Sequence, residues 1–161
     1  MLLKKNKLNL FIVDDDEYMA KILKNDLSNH FGKTLIITTF NSGKTCLENV
    51  TKNTDIVILD YFLNNENGLE ILQKIKSINP QTEVIMFSNN ENIVAAIEAF
   101  KRGAKDFVVK DKNSFNKVNR QVRRIAKNTV KSAVKRNGIF KMAAILLTIV
   151  ALVTIYFIYI Y

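Results

Sequence analysis

The chain has 161 residues, enough for one domain with a buried core, and its 24 Lys and Arg against 15 Asp and Glu give a formal net charge of +9. Residues 1–110 are neutral, with 14 basic and 14 acidic side chains, whereas residues 111–161 hold ten basic side chains and one acid, so the body of the chain lacks the excess of positive charge typical of a nucleic-acid-binding domain. The single cysteine, Cys46, excludes an internal disulfide, and no cluster of Cys and His indicates a zinc site.

Apolar runs and amphipathic stretches alternate along the first 126 residues. The apolar runs predict five strands, at 8–13, 34–40, 56–59, 84–87 and 107–109. Apolar residues at helical spacing predict five helices, at 17–31, 44–50, 68–78, 93–102 and from Ser114 onward. Strands that are aliphatic along their whole length are typical of a parallel sheet that helices cover on both faces. Residues 1–126 are therefore predicted to form an α/β domain with a doubly wound, five-stranded parallel sheet.

Polar side chains stand where four of the predicted strands end. They are Asp14, Asp15 and Asp16 at the end of the first strand, Asp60 at the end of the third, Ser88 at the end of the fourth and Lys110 at the end of the fifth. The carboxyl ends of parallel strands meet at one edge of the sheet, so we expect these residues to converge there, although Asp16 alone is typical of a helix N-cap. Neighbouring carboxylates repel without a cation between them, and they are ligands that suit Mg²⁺. The pattern predicts an acidic Mg²⁺ pocket in which a lysine and a hydroxyl hold a transferred phosphoryl group.

Four motifs carry a family resemblance: FIVDDDE at 11–17, DIVILDYFLNNENGLEIL at 55–72, VIMFSNN at 84–90 and GAKDFVVKD at 103–111. In order and spacing they resemble a response-regulator receiver domain of two-component signalling, over about residues 6–126. The resemblance implies a flavodoxin-like receiver fold, Mg²⁺ as cofactor, and a histidine kinase or histidine phosphotransfer protein as phosphoryl donor. It also implies a protein that catalyses its own phosphorylation and its own slow dephosphorylation, rather than the turnover of a separate substrate.

Residue roles follow from position within these motifs. The resemblance implies that Asp60 is the phosphoacceptor, and that Asp14 and Asp15 are the acidic pair, with Asp15 the direct Mg²⁺ ligand. It implies that Asp60 and the backbone carbonyl of Phe62 complete the protein's metal ligands. The remaining roles are those of Ser88, the switch hydroxyl that hydrogen-bonds the phosphoryl group, Lys110, the lysine that pairs with it, and Phe107, the switch aromatic.

Three positions depart from the family's pattern. Asn64 stands where the family often has Pro, Asn67 where it often has Asp, and Asp111 where Pro most often follows the lysine through a cis bond. A cis bond before a residue other than proline costs about 2.5–4 kcal/mol, so this departure bears on how Lys110 is aimed. The sequence leaves open whether the Lys110–Asp111 bond is cis or trans.

The C-terminal segment has a different character. Residues 142–161 are 20 consecutive residues without charge, and as a helix they would span about 30 Å, the thickness of a bilayer's hydrocarbon. Tyrosines cluster at the far end of this run and ten cations precede it, as at the outer and cytoplasmic sides of a membrane span. The sequence predicts a basic juxtamembrane linker at 127–141 and a transmembrane helix at 142–161, in a single-pass inner (cell) membrane protein with a cytoplasmic receiver and the C-terminus outside. The alternative, a buried core helix, needs a larger domain to cover it.

The basic stretch before this run favours contact with anionic lipid over DNA, because it lacks a helix-turn-helix pattern. Two functions remain open at this point. The first is a stand-alone, membrane-anchored receiver without a DNA-binding output domain, which is phosphorylated at Asp60 and signals to a downstream partner that the sequence does not name. The second is a phosphorylation-independent adaptor that recruits a partner to the membrane. The set of residues at the strand ends argues for the first.

Two positions, Phe62 and Asn90, match those that tune hydrolysis of the phosphorylated state in the family. Phe62 has no polar group with which to orient a water molecule. We therefore predict that the variant Phe62→Asn loses its phosphoryl group faster than the wild type. Decay of the phosphorylated protein, followed after removal of the donor, measures this, and equal or slower decay in Phe62→Asn would contradict it.

Overall fold

The computed structural model describes residues 7–89 and 91–160, and the side chains among them outside 130–138, 140–141 and 151–160. By its internal contacts the chain divides into two compact units, Met1–Arg124 and Ile125–Tyr161. The first unit holds a five-stranded sheet and its covering helices, and it contains the residues that the sequence places at the strand ends.

Strands and helices alternate through the first unit. In chain order they are β1 (Leu8–Val13), α1 (Glu17–Phe31), β2 (Leu35–Phe40), α2 (Gly43–Asn49), β3 (Thr54–Leu59), β4 (Phe62–Leu63), β5 (Glu66–Asn67), α3 (Gly68–Ile78), β6 (Glu83–Ser88), α4 (Ile93–Lys101) and β7 (Asp106–Val109), followed by α5 (Ser114–Ile160). The five long strands form one parallel sheet in the order β2-β1-β3-β6-β7, as predicted. The strand order reverses at β1, so the crevice for a ligand lies beyond the carboxyl ends of β1 and β3.

Helices cover both faces of the sheet. The side chains of each strand point alternately to the two faces, and both sets are apolar. On one face, side chains of β3 and β6 form a cluster with residues of α2, α3 and α4, including Cys46, Leu72 and Ala99, which are fully buried. On the other face the ring of Phe87 in β6 lies 6.2 Å from that of Phe115 in α5. Each buried aliphatic side chain contributes roughly 1.5–3 kcal/mol, so this packing holds the strand ends in register.

The boundaries differ from the predicted ones mainly at polar strand starts. Strand β3 begins at Thr54 rather than at residue 56, because Asp55 accepts a hydrogen bond from the Asn9 amide and Thr54 is itself buried. Asp16 is the N-cap of α1, accepting from the amides of Tyr18 and Met19. The antiparallel pair β4–β5 was not predicted, because strands of two residues carry no alternation that a sequence can show.

Helix α5 has the bounds Ser114–Ile160, so the predicted linker at 127–141 is helical. The predicted transmembrane segment 142–161 ends at Tyr161, which lies outside the described residues, as do the side chains of 151–160. Side chains from Met142 to Val150 are described and are exposed. Within the part of the chain that the structure describes, no helix has the length and apolarity needed to cross a bilayer.

Candidate functional site

The pairing of β1 with β3 sets two carboxylates side by side. Asp14 follows β1 and Asp60 follows β3. The Asp60 amide donates to the Val13 carbonyl at 2.9 Å, so the hydrogen bonding between the two strands extends as far as Asp60. Asp14 and Asp60 are only 2% and 7% exposed. Together with Asp15, each offers a carboxylate oxygen within 4.8 Å of the others. The predicted convergence of the three acids is therefore present in the structure.

A lysine ammonium lies between the two buried acids. Lys110 follows β7, and its Nζ donates to Asp14 Oδ2 at 2.8 Å and to Asp60 Oδ2 at 2.6 Å. All three side chains in this cluster are less than a tenth exposed. The Lys110 amide donates to the Ser88 carbonyl at 2.8 Å, and Ser88 is fully buried at the end of β6. The backbone of Ser88 thus lies beside that of Lys110, and the role of its hydroxyl stays a prediction.

Burial and pairing act on these charges in opposite directions. Burial raises the pKa of Asp14, and the hydrogen bond and charge of Lys110 counter this only in part. Burial would lower the pKa of Lys110, but the hydrogen bonds and charges of Asp14 and Asp60 outweigh it and leave that pKa above its usual value. The raised pKa keeps the Lys110 side chain a charged ammonium at neutral pH, and it lies between Asp14 and Asp60 as a shared counter-charge.

The loop after Asp60 bends back over the acids. The Phe62 amide donates to Asp60 Oδ1 at 3.3 Å, and the Asn64 amide donates to Asp15 Oδ2 at 3.2 Å. Asn64 has a φ of 49°, a left-handed conformation that asparagine adopts more readily than most residues. A Cβ at Gly68 would collide with the Asp60 carbonyl oxygen and come within 2.8 Å of the Tyr61 Cα, so this position requires glycine. These contacts hold the loop close to Asp60 and Asp15.

Two of the departures from the family's pattern are explained by local hydrogen bonds. Asn67 is the N-cap of α3 and accepts from the Leu69 amide at 2.9 Å. Asp111 accepts from the Asn113 amide at 2.8 Å and from Lys117 Nζ at 2.6 Å. The described residues contain no cis peptide bond, so the Lys110–Asp111 bond is trans, and Lys110 nevertheless reaches both acids.

The predicted switch aromatic lies at the edge of the site. Phe107 in β7 is partly buried, and its ring lies 6.5 Å from that of Tyr61, which in turn lies 4.7 Å from the ring of Phe62. Phe62 is 60% exposed, so its side chain presents an apolar surface to solvent. The sequence does not single out Tyr61, because its contacts with the rings of Phe62 and Phe107 depend on the folded structure. Asn90 lies outside the described residues.

Comparison with known proteins decides the family. The family model of the response regulator receiver domain matches residues 10–121, more than half of the chain. The chain belongs to this family. Its receiver fold agrees with solved structures of Thermotoga maritima. The BeF3-activated receiver domain of DrrB has a TM-score of 0.65 at 26% identity, over 75% of this chain and 98% of that one. The response regulator domain of CheB has a TM-score of 0.62 at 27% identity, over 75% of this chain and 95% of that one.

Curated relatives match the receiver over part of their length. The chain is 34% identical over 101 residues to the DNA-binding transcriptional regulator NtrC of Klebsiella pneumoniae, which covers 62% of this chain and 21% of the relative. It is 33% identical over 107 residues to the protein-glutamate methylesterase/protein-glutamine glutaminase of Caldanaerobacter subterraneus subsp. tengcongensis, which covers 66% of this chain and 29% of the relative. The chain thus spans less than a third of the length of these curated relatives.

The receiver's acidic pocket fits the cation that its family uses. Receiver domains are phosphoacceptors of two-component signalling, take their phosphoryl group from histidine kinases or phosphotransfer proteins, and typically bind Mg²⁺ through acidic residues. Here three carboxylates lie within 4.8 Å of one another, and among the described side chains the ammonium of Lys110 is the one cation paired with them, which leaves negative charge in a largely buried site. A small divalent cation with oxygen ligands offsets that charge, so the residues present fit Mg²⁺.

The lysine's place between the receiver's acids yields a stability prediction. In the absence of Mg²⁺, we expect Lys110→Met to lower the free energy of unfolding by about 3 kcal/mol, because two buried carboxylates lose their shared counter-charge. Adding Asp60→Asn to Lys110→Met recovers part of the loss, since one of the repelling charges is removed. Urea denaturation followed by circular dichroism measures both.

A matched control for this prediction is Lys117→Met, which breaks the exposed pair with Asp111. We expect it to leave the free energy of unfolding close to that of the wild type, because solvent screens an exposed ion pair. Equal stabilities of Lys110→Met and Lys117→Met would show that the buried bridge adds nothing.

Proposed function

We propose that the protein is a membrane-anchored receiver in which Asp60 takes up a phosphoryl group from a histidine kinase or a histidine phosphotransfer protein. The observation that carries this proposal is the Lys110 ammonium bridging Asp14 and Asp60 inside the acidic pocket. Four elements contribute to that pocket, and their arrangement matches what phosphoryl transfer needs, namely a carboxylate nucleophile among groups that neutralise charge.

The chemistry begins with Asp60. Its Oδ2 is held by Lys110 at 2.6 Å, while Oδ1 accepts the longer bond, 3.3 Å, from the Phe62 amide, so Oδ1 is the oxygen more available to attack. Attack on the donor's phosphorus forms the bond from Asp60 oxygen to phosphorus, and the bond from phosphorus to the donor nitrogen breaks. The electron pair of that bond leaves with the donor's imidazole. Water later cleaves the acyl phosphate and restores the carboxylate.

The other residues hold the phosphoryl group in place. The Lys110 ammonium pairs with the phosphoryl oxygens and neutralises part of their negative charge. The Ser88 hydroxyl donates a hydrogen bond to the phosphoryl group. Asp14, Asp15, Asp60 and the Phe62 carbonyl would hold Mg²⁺, which supplies further charge neutralisation when bound. Asn64 fixes Asp15 through its amide, so the acid that we propose as the direct ligand has a set orientation.

Membrane anchoring is the second part of the proposal. It rests on the 20 uncharged residues at 142–161 and on the ten cations that precede them. The described side chains of this run are exposed apolar groups on a continuous helix, among them Met142, Leu146 and Leu147 at 74%, 63% and 71% exposure. Such a surface is unfavourable in water and is covered favourably by hydrocarbon. The receiver would then work beside a membrane, on its cytoplasmic face.

Phosphorylation at Asp60 is directly testable. We expect acetyl phosphate with Mg²⁺ to add one phosphoryl group to the wild type and none to Asp60→Asn, because the amide is not a nucleophile. Intact-protein mass spectrometry measures the added mass, and removal of Mg²⁺ with a chelator is the control. Equal labelling of wild type and Asp60→Asn, or no labelling of either, would favour the phosphorylation-independent adaptor.

Membrane insertion is tested by adding charge to the apolar run. We expect the wild type to stay with the membrane fraction after carbonate extraction, and the double variant Ile149→Arg/Val150→Arg to be released. Each arginine near the middle of a span costs about 2.5–3.5 kcal/mol on insertion scales. The control Lys112→Ala/Lys117→Ala removes charge outside the run and should remain in the membrane fraction. Recovery of the wild type in the extract would overturn the anchor.

A further inference from the structure

Glu66 links the loop after Asp60 to a different helix. This loop, residues 61–67, is called the acceptor loop here. Glu66 Oε2 accepts from the Gly43 amide at 2.6 Å, and Oε1 accepts from the Lys44 amide at 3.0 Å. Both oxygens of the carboxylate are thus bound to the first two residues of α2, which are 23 and 22 positions away in the chain.

The contact is a strong one for its size. A carboxylate that accepts from two backbone amides at the start of a helix makes charge-assisted hydrogen bonds, and the helix dipole adds to them. Helix α2 already has its own side-chain cap, because Ser42 Oγ accepts from the Thr45 amide. Glu66 therefore binds amides that the local cap does not reach. A Cβ at Gly43 would lie 2.5 Å from the Ile71 side chain and 3.2 Å from Glu66 Oε2, so the helix start fits closely against the loop and α3.

The acceptor loop needs such a support. Its only ladder among the described residues is the two-residue pair β4–β5, in which Phe62 faces Asn67 and Leu63 faces Glu66. A two-stranded ribbon of this length is not stable by itself. Between the paired ends, Asn64 donates to Asp15 at 3.2 Å. The loop is thus fixed to the acidic pocket on one side and to α2, through Glu66, on the other.

We propose that Glu66 is a positioning residue for the Mg²⁺ site. Its carboxylate is hydrogen-bonded to the start of α2, and it acts by holding the acceptor loop so that the Phe62 carbonyl and the Asn64 amide stay at the pocket. With the carboxylate removed, the loop keeps Leu63 in the core but loses its tie to α2, and the orientation of Asp15 becomes less restricted. This inference rests on the proposed function, because it concerns the same pocket.

The experiment compares three variants of the full-length chain. Glu66→Ala removes both hydrogen bonds, Glu66→Gln keeps one acceptor without the charge, and Ser42→Ala weakens α2 without touching the acceptor loop. Mg²⁺ affinity is measured by calorimetric titration at a temperature where every variant is folded. Stability is measured by urea denaturation, and the mobility of the loop by hydrogen exchange of the amides of 61–67.

We expect Glu66→Ala to weaken Mg²⁺ binding about tenfold, the lower end of the range for groups that orient metal ligands from outside the site, with Glu66→Gln in between. Exchange of the loop amides should become faster in Glu66→Ala. Ser42→Ala should lower the urea midpoint while leaving the Mg²⁺ dissociation constant within about twofold of the wild type, because a helix cap contributes to stability rather than to the metal site.

Two results would overturn the inference alone. One is wild-type Mg²⁺ affinity in Glu66→Ala, and the other is an equal loss of affinity in Glu66→Ala and Ser42→Ala, which would make Glu66 a helix cap and nothing more. A wild type that binds no Mg²⁺ and takes up no phosphoryl group from acetyl phosphate would instead overturn the proposed function, and the inference with it. The behaviour of the wild type therefore separates the two failures.

Discussion

The ammonium of Lys110 is the group on which the rest of the site depends. Two carboxylates that are almost fully buried cannot remain ionised next to each other without a counter-charge. Lys110 supplies it through one bond to each, at 2.8 and 2.6 Å. Because the bridge connects the ends of β1, β3 and β7, it also fixes the spacing of three strands of the sheet. The same contact thus compensates the charge of the pocket and fixes its geometry.

Much of this arrangement can be predicted from the sequence, because the strands of a parallel sheet have a clear apolar pattern. Continuous aliphatic runs identify buried strands, and the side chains that follow them must meet at one edge. This rule alone predicts that Asp14, Asp60 and Lys110 lie together. The family resemblance implies roles that no spacing can show, such as that of the Phe62 backbone carbonyl as a metal ligand.

What the sequence did not show depends on contacts between segments far apart in the chain. The link from Glu66 to the amides of α2 leaves no periodic pattern, and Glu66 reads as one more surface acid. The pair β4–β5 is too short for alternation to identify it. Whether the peptide bond after Lys110 is cis or trans was also open, because the steric preference of a single bond competes with the geometry of a whole loop. Such features follow from tertiary structure, which overrides local preference.

The residues that the lysine bridge joins are far apart in the sequence, and this affects the order in which the chain folds. Lys110 lies 96 residues from Asp14 and 50 from Asp60, so the bridge closes some of the longest loops in the first unit. Contacts of large sequence separation are slow to form because the entropy of the intervening chain is lost first. We expect the two acids to stay hydrated until β7 docks, and a nascent chain that has emerged only as far as β6 to lack the pocket. Under the proposed function, a nascent chain could then accept a phosphoryl group only after β7 has docked.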